Sequence, residues 1–517
     1  MDTERIKQRL KEFQQPPDQE CKRRHEEARI QLRKQQRCQR FALHRSLTEP
    51  EVVSPALQHA LPALLHSTLS VSEKCLLVLN YLRNSNPPDM VFEASQYLRK
   101  KCAVEDTLQK EQLGSRLVQA GVADLLHSLL ASNHSGILIE ALWCLINLSC
   151  ESHEVTMAVA RKETVALVVE LLSHSELEVM ENSVHAIGNW AVDCPDLNDY
   201  LHSIGALARV LEVAYRYKKY PLQIQAVLAW TLGRLFASRS AIRKDIIYDC
   251  THLLVEMAKG KQPRVLLSCL SALAELSLIH SGSQALLQDK AMPFLLGLTA
   301  SSQSEVVAQA VSILGNVVYA CSDHDLDTLL ALGLLPCLRP LTVRPTSAVR
   351  KSVVWMLSNI VAGTRKHKVA VLQDSLVHFV LSSAEVGDSK VALEVSFCLY
   401  NALRGEGGTE IATLLAELGA LECLKHLISG TSDPDILLNC FKTLDCLLLS
   451  GLKQAGSNAL AVKWEELGGL SRLEDLQSHP SSEIYEEAVR LMAAHYGLVD
   501  PGKEDQDLPP PAQFVFS

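Results

Sequence analysis

The chain has few aromatic residues. Phe, Trp and Tyr account for 5% of 517 residues, while apolar residues account for 47% and Leu and Ala dominate the long runs. Helices favour Leu and Ala, and sheets favour β-branched and aromatic side chains, so this composition points away from a sheet-rich fold. No run of roughly eighteen apolar residues lacks a charged or polar interruption, and no membrane span is expected. The first residues are charged from Asp2 onward and form no apolar core, so no secretory signal is expected. The fifteen cysteines stand singly between Cys21 and Cys446 with no Cys-x-x-Cys, and are expected to be reduced, buried small hydrophobes. The glycine-rich stretch RGEGGTE at 404–410 lacks the Lys-Ser/Thr of a phosphate loop and a flanking strand. His-Glu-x-x-His is missing, and the 18 histidines show no zinc-ligand spacing. No metal, no cofactor and no catalytic residue is therefore expected, and the chain is read as a binding protein, not an enzyme.

Charge is unevenly distributed. Residues 1–45 hold 13 Lys and Arg against 7 Asp and Glu, which leaves 37 against 52 for the rest. A basic arm on an acidic body calls for an acidic partner for the arm and allows the body to attract basic ligands. Nucleic acid is not an expected partner of such a body. Membrane is not expected either, because the apolar face of the basic stretch at 21–40 (Ile30, Leu32, with Phe41 just beyond) is thin.

One helical segment recurs, at 141–149 (ALWCLINLS), 184–192 (VHAIGNWAV), 229–237 (AWTLGRLFA) and 270–278 (LSALAELSL). It continues at 311–319 (VSILGNVVY), 354–362 (VWMLSNIVA) and 396–404 (SFCLYNALR). The position of Asn147 returns as Asn189, Arg234, Glu275, Asn316, Asn359 and Asn401, at steps of 42, 45, 41, 41, 43 and 42 residues. A helical period near 42 is that of armadillo or HEAT repeats. Gly121, Gly205, Gly333 and Gly419 recur at steps of 84, 128 and 86 and fit left-handed turns between helices. About ten repeats are expected from roughly 55 to 498, stacked into one elongated array.

Asparagine is a mediocre interior helix residue, because its side chain competes for backbone hydrogen bonds. Five of these seven segments nevertheless carry it at one phase. Each Asn could tie its helix to the next repeat by satisfying buried backbone groups. The other use is a ladder of amides, each a donor and an acceptor, that clamps the backbone of an extended peptide. Four residues earlier, on the same helix face, stand Trp143, His185, Trp230, Ser271, Ser312, Trp355 and Phe397. Parallel rings there would make slots for Lys or Arg stems, with cation–π attraction for the heads.

These residues resemble the importin-α (karyopherin-α) family, over almost the whole chain. Its W-x-x-x-N signature is seen as Trp143–Asn147 and Trp355–Asn359, and GNWAVDCPDLNDYL (188–201) is similar to its second groove helix and following loop. GLSRLEDLQSHPSSEIYEEAVRLMAAHYG (469–497) resembles its C-terminal repeat. CKRRHEEARIQLRKQQR (21–37) resembles its importin-β-binding helix, with Lys22, Arg23, Arg24, Arg29, Arg33, Lys34 and Arg37 as the basic residues. The resemblance implies an all-α, right-handed superhelical solenoid of armadillo repeats at 55–498, an importin-β-binding arm at 1–50 and a disordered tail at 499–517. It implies a nuclear-import adaptor in cytoplasm and nucleus that joins basic-signal cargo to importin-β and meets a nuclear export factor through its C-terminal repeat. Carried over by position, a major groove would use Trp143, Asn147, Asn189 and Trp230, with Thr156 and Asp193 as a lysine pocket. A minor groove would use Asn316, Trp355, Asn359, Phe397 and Asn401.

The departures matter. His185 and Arg234 replace a Trp and an Asn, Glu151 stands where the family has Gly near the lysine pocket, and Ser271 and Glu275 break a pair. Arg234 is expected to repel a basic peptide, which leaves the minor groove as the better basic-peptide site. The stretch RFALHRSL (40–47) has only two cations, so self-inhibition by the arm should be weak. The alternative is an armadillo scaffold that kept the fold and lost basic-signal cargo.

Overall fold

The computed structural model describes residues 53–497, apart from residues 67, 85, 104–106, 238–241, 261, 290 and 453–457 and the side chains of 107–112, 193 and 452. The arm at 1–50 and the tail at 499–517 lie outside the described residues, so the expectations for Lys22, Arg23, Arg24, Arg29, Arg33, Lys34 and Arg37 do too. The described chain is helical, and its contacts gather into two compact bodies that meet in sequence at Gly282 and Ser283.

Ten long helices set the frame. In the N-terminal body they are α1 (Pro88–Cys102), α2 (Ser135–Leu148), α3 (Leu177–Asp193), α4 (Leu222–Leu235) and α5 (Pro263–Ser277). In the C-terminal body they are α6 (Ser304–Ala320), α7 (Ser347–Val361), α8 (Ser389–Leu403), α9 (Pro434–Leu452) and α10 (Ser482–Tyr496). Within each body consecutive long helices pack side by side. The helices between them, shorter except for Lys244–Lys259, complete the repeats, which is the armadillo arrangement. Each body is thus an all-α stack whose core is shared between neighbours, because no single repeat can bury its own apolar face.

Local chemistry places the helix starts. Ser70 and Glu73 form a reciprocal capping box, Thr346 accepts from the Val349 amide, and Asp388 accepts from the amides of Lys390 and Val391. The recurring glycines open other helices from the left-handed region, with φ of 79° at Gly121, 75° at Gly205, 92° at Gly333 and 96° at Gly419. Only glycine takes that conformation without a steric penalty. Among the described residues nine cysteines, Cys144 and Cys250 included, are buried, and burial pushes the Cys75 thiol up to about 12.

The long helices are apolar on nearly every side, and that makes their open positions informative. On α2, Ile137, Leu138, Ala141, Leu142, Cys144, Leu145, Ile146 and Leu148 are buried, while Ile139, Trp143 and Asn147 stay half-buried. On α6 the open residues include Ala308, Ser312, Asn316 and Tyr319. A four-residue step keeps such positions on one helix face, so each helix presents one narrow stripe.

A ring-and-amide surface as candidate peptide site

In the N-terminal body the stripes of α2, α3 and α4 carry Trp143, His185 and Trp230 in succession. The imidazole lies between the two indoles, with ring centroids 6.4 Å from Trp143 and 6.3 Å from Trp230 and tilts of 34° and 44°. A methylene stem held between two ring faces needs roughly 7–8 Å, two carbon contacts of about 3.5–4.0 Å each. The slots expected between parallel rings are therefore not formed here: the rings are tilted and already touch, so a lysine stem can only lie across their open edges. Trp143 and Trp230 are half-buried, but His185 is 3% exposed. Burial pushes its pKa down to about 3 and keeps it neutral.

The amide column is also used internally. Asn147 donates through Nδ2 to the Arg99 carbonyl on α1 at 3.4 Å, and Asn189, 1% exposed, points Nδ2 at Cys150 Sγ at 3.9 Å. Asn189 is thus set into the wall and not on the open stripe. Thr156 is buried, and its hydroxyl donates to the carbonyls of Ser149 at 3.0 Å and Ser152 at 2.9 Å. Its proton is committed to the turn after α2. Asp193 ends α3, and its side chain lies outside the described residues. Glu151 reaches toward Gly114, where a Cβ would stand 1.8 Å from its Oε2, so the carboxylate occupies space that only glycine leaves.

Arg234 corrects an expectation. Its guanidinium lies 3.5 Å from Glu275 Oε1 and donates to Ser271 Oγ at 3.1 Å. The three departures at 234, 271 and 275 are one assembly across α4 and α5, and the positive charge expected to repel basic ligands is answered by a carboxylate. The electrostatic half of the argument for a weaker N-terminal site therefore falls away.

In the C-terminal body Trp355 on α7 stacks on Tyr319 of α6, with centroids 6.4 Å apart and planes 27° from parallel. Tyr319 was not singled out in the sequence; it lies seven residues after Ser312, on the same stripe. Asn401 on α8 donates to Ser358 on α7, to the carbonyl at 3.4 Å and to Oγ at 3.1 Å. Asn359 is 7% exposed, and its Nδ2 has no hydrogen-bond partner among the described residues. Asn316 and Phe397 are half-buried on α6 and α8. Tyr400 carries two of the chain's own cations, with Arg404 Cζ 5.4 Å and Lys442 Nζ 5.5 Å from its ring centroid. Across α7 and α8, Lys351 lies 3.8 Å from Glu394, whose carboxyl burial raises to about 7 against the pull of that ammonium.

Further residues that the sequence reading passed over tie the repeats together. Asn198 donates to the carbonyls of Ala191 at 3.1 Å and Arg234 at 3.4 Å, Trp190 donates to Ser149 Oγ at 2.9 Å, and Thr231 donates to the Val184 carbonyl at 3.0 Å. Arg99 and Glu140 pair at 2.5 Å, both nearly buried, between α1 and α2. No group of His, Cys, Asp and Glu among the described residues could hold a metal ion, and no single described helix is long and apolar enough to cross a membrane.

Residues 458–511 match a family model described as an atypical Arm repeat. Importin subunit alpha-1b of Oryza sativa subsp. japonica is 25% identical over 451 residues, covering 86% of this chain and 82% of that one. Importin subunit alpha-5 of Arabidopsis thaliana is 24% identical over 367 residues, 70% and 69% of the two chains. Among solved structures, an engineered protein superposes with a TM-score of 0.70 at 21% identity, over 83% of this chain and 99% of that one, a likeness of fold alone. The chain is thus similar to importin α subunits along most of its length and matches an atypical armadillo repeat at 458–511.

Proposed function

We propose that the chain is a nuclear-import adaptor. It takes an extended basic segment of a cargo protein across its ring-and-amide stripes and joins that cargo to importin-β through the basic arm at 1–50. The observation that carries this reading is the recurrence of one stripe on neighbouring long helices, with half-buried Trp143, Trp355 and Phe397 four residues before asparagines and half-buried Trp230 four residues before Arg234. Tyr400 supports it, since a ring on this face already holds a guanidinium and an ammonium. The amides remain serviceable where they brace the fold. An Asn side chain has two N–H groups and an acceptor oxygen, and a brace such as Asn147 to Arg99 uses one N–H.

On the same reading the basic-peptide contacts are Trp143, Asn147 and Trp230 in the N-terminal body, with Asn189, Thr156 and Asp193 beneath them, and Asn316, Trp355, Asn359, Phe397 and Asn401 in the C-terminal body. The adaptor shuttles between cytoplasm and nucleus, and a nuclear export factor meets its C-terminal repeat. The test is capture of importin-β by the full chain and by the chain lacking residues 1–45. Capture should be lost with the arm and should weaken steeply with salt, because solvated charges carry it. Unchanged capture without the arm overturns the reading.

A second reading is favoured by Arg234 and His185: a scaffold of this fold that no longer takes basic signals. Arg234 is paired with Glu275 and His185 is buried, so one amide position and one ring position of the N-terminal body no longer offer what a basic signal would use. Failure of every lysine-rich peptide to bind a folded chain selects this reading.

A further inference from the structure

The Arg234–Ser271–Glu275 assembly sits where the ring-and-amide stripe passes from α4 to α5. Arg234 occupies the amide position of α4, Glu275 the amide position of α5, and Ser271 the ring position of α5. The side chains of Arg234 and Glu275 are only 12% and 23% exposed. Both charges are thus largely out of water but still reachable from the stripe.

A ligand reaching this point faces a charge pair instead of an amide. A lysine that takes Glu275 strips Arg234 of its carboxylate, and an acidic residue that takes Arg234 strips Glu275. Either exchange leaves a poorly hydrated charge without its partner, which is far more costly than the pair itself is stabilising. A segment that brings a carboxylate and a cation together satisfies both at once. The donors favour such a ligand, because a guanidinium presents a planar fork of N–H groups that suits a carboxylate.

We infer that Arg234 and Glu275 set the ligand class of the N-terminal body: an extended segment of mixed charge, with lysines over Trp143 and Trp230 and an acidic residue beside a basic one at the α4–α5 step. This rests on the reading of the stripes as a peptide site. A purely basic run is discriminated against there, and the selectivity comes from exchange of ion pairs, not from a slot between rings.

The probe is a labelled peptide with a short run of lysines flanked by alanines, scanned by placing one glutamate at each flanking position in turn. Binding is followed by fluorescence anisotropy with the full chain. One glutamate position should tighten binding by about tenfold over the unsubstituted peptide. In Arg234→Asn, which leaves Glu275 free for a lysine, that advantage should disappear and the unsubstituted lysine run should bind more tightly than it does to the parent chain. The swapped pair Arg234→Glu with Glu275→Arg retains an ion pair and guards against simple misfolding. In it the favoured glutamate should move by about one residue, because the two charged groups are 3.5 Å apart and an extended residue spans roughly that length. A flat glutamate scan with the lysine peptide bound overturns the inference and leaves the peptide-site reading standing. No binding by any peptide to the folded wild-type chain overturns both.

Discussion

The indole of Trp355 lies over the bare Cα of Gly315: a Cβ built on that glycine would stand 2.4 Å from Cζ3 of the ring. The same arrangement recurs in the other body, where a Cβ on Gly188 would stand 2.2 Å from Cζ3 of Trp230. In both cases the glycine directly precedes a ladder asparagine, and it seats the tryptophan of the next long helix. Contacts this short do not occur between real atoms, so the ring or the helix would have to move.

Gly315→Ala should therefore destabilise the chain by about 1–3 kcal/mol, the usual cost of overpacking, and should weaken peptide binding at Trp355. Gly297→Ala is the control, since nothing lies within 4 Å of its Cβ and the position is helical. There alanine should be neutral or stabilising by up to about 1 kcal/mol. Chemical denaturation of both variants decides the matter, and equal stabilities would mean that the indole is not held against the glycine.

Asn401 and Asn359 should separate bracing from binding. Asn401→Ala removes the hydrogen bonds to Ser358 and should cost about 0.5–1.5 kcal/mol of stability. Asn359 has an unpartnered, buried Nδ2, so Asn359→Leu should leave stability unchanged or raise it. If Asn359 is a backbone clamp, the leucine variant should lose about 1–3 kcal/mol of peptide affinity. A leucine variant that melts lower and binds as before would make Asn359 a structural residue.

His185 predicts an acid limb of stability. Its folded pKa is pushed down to about 3 by burial, against an ordinary value of about 6.5. Below that ordinary value the unfolded chain takes up a proton that the folded chain refuses. The contribution is thus fully present above about pH 6.5 and is lost as pH falls toward 3, by at most about 1.4 kcal/mol per pH unit. Urea unfolding from about pH 7 to pH 4 should show a shallower loss in His185→Phe than in the parent chain. Parallel curves would mean that His185 is not buried as a neutral ring.

The fold was legible because its period is written in strong signals. Repeated apolar segments and αL glycines at fixed offsets survive divergence, since each repeat must bury the same face of its neighbour. The stripe positions of Trp143, Asn147, Trp355 and Asn401 were legible for the same reason. What single positions could not show was how side chains on adjacent helices answer one another. Arg234 read alone is a repulsive charge, and only the packing of α4 on α5 brings Glu275 to it across 41 residues of sequence. Ring spacing was equally hidden, because the closure of Trp143 and Trp230 on His185 depends on helix separation and tilt. Tyr319 escaped because it extends the stripe one turn past the asparagine, where no other long helix carries a ring.

The central claim is that an extended basic segment binds across the ring-and-amide stripes. One lysine-rich peptide titrated against the parent chain, Trp143→Ala, Trp355→Ala and the double variant tests it most directly. The account predicts that the peptide binds the parent chain, that Trp143→Ala weakens binding at the N-terminal body and Trp355→Ala binding at the C-terminal body by about tenfold or more each, and that the double variant, still folded by circular dichroism, retains none. A double variant that binds as tightly as the parent would contradict the claim, because the cation would then be held somewhere other than on these rings.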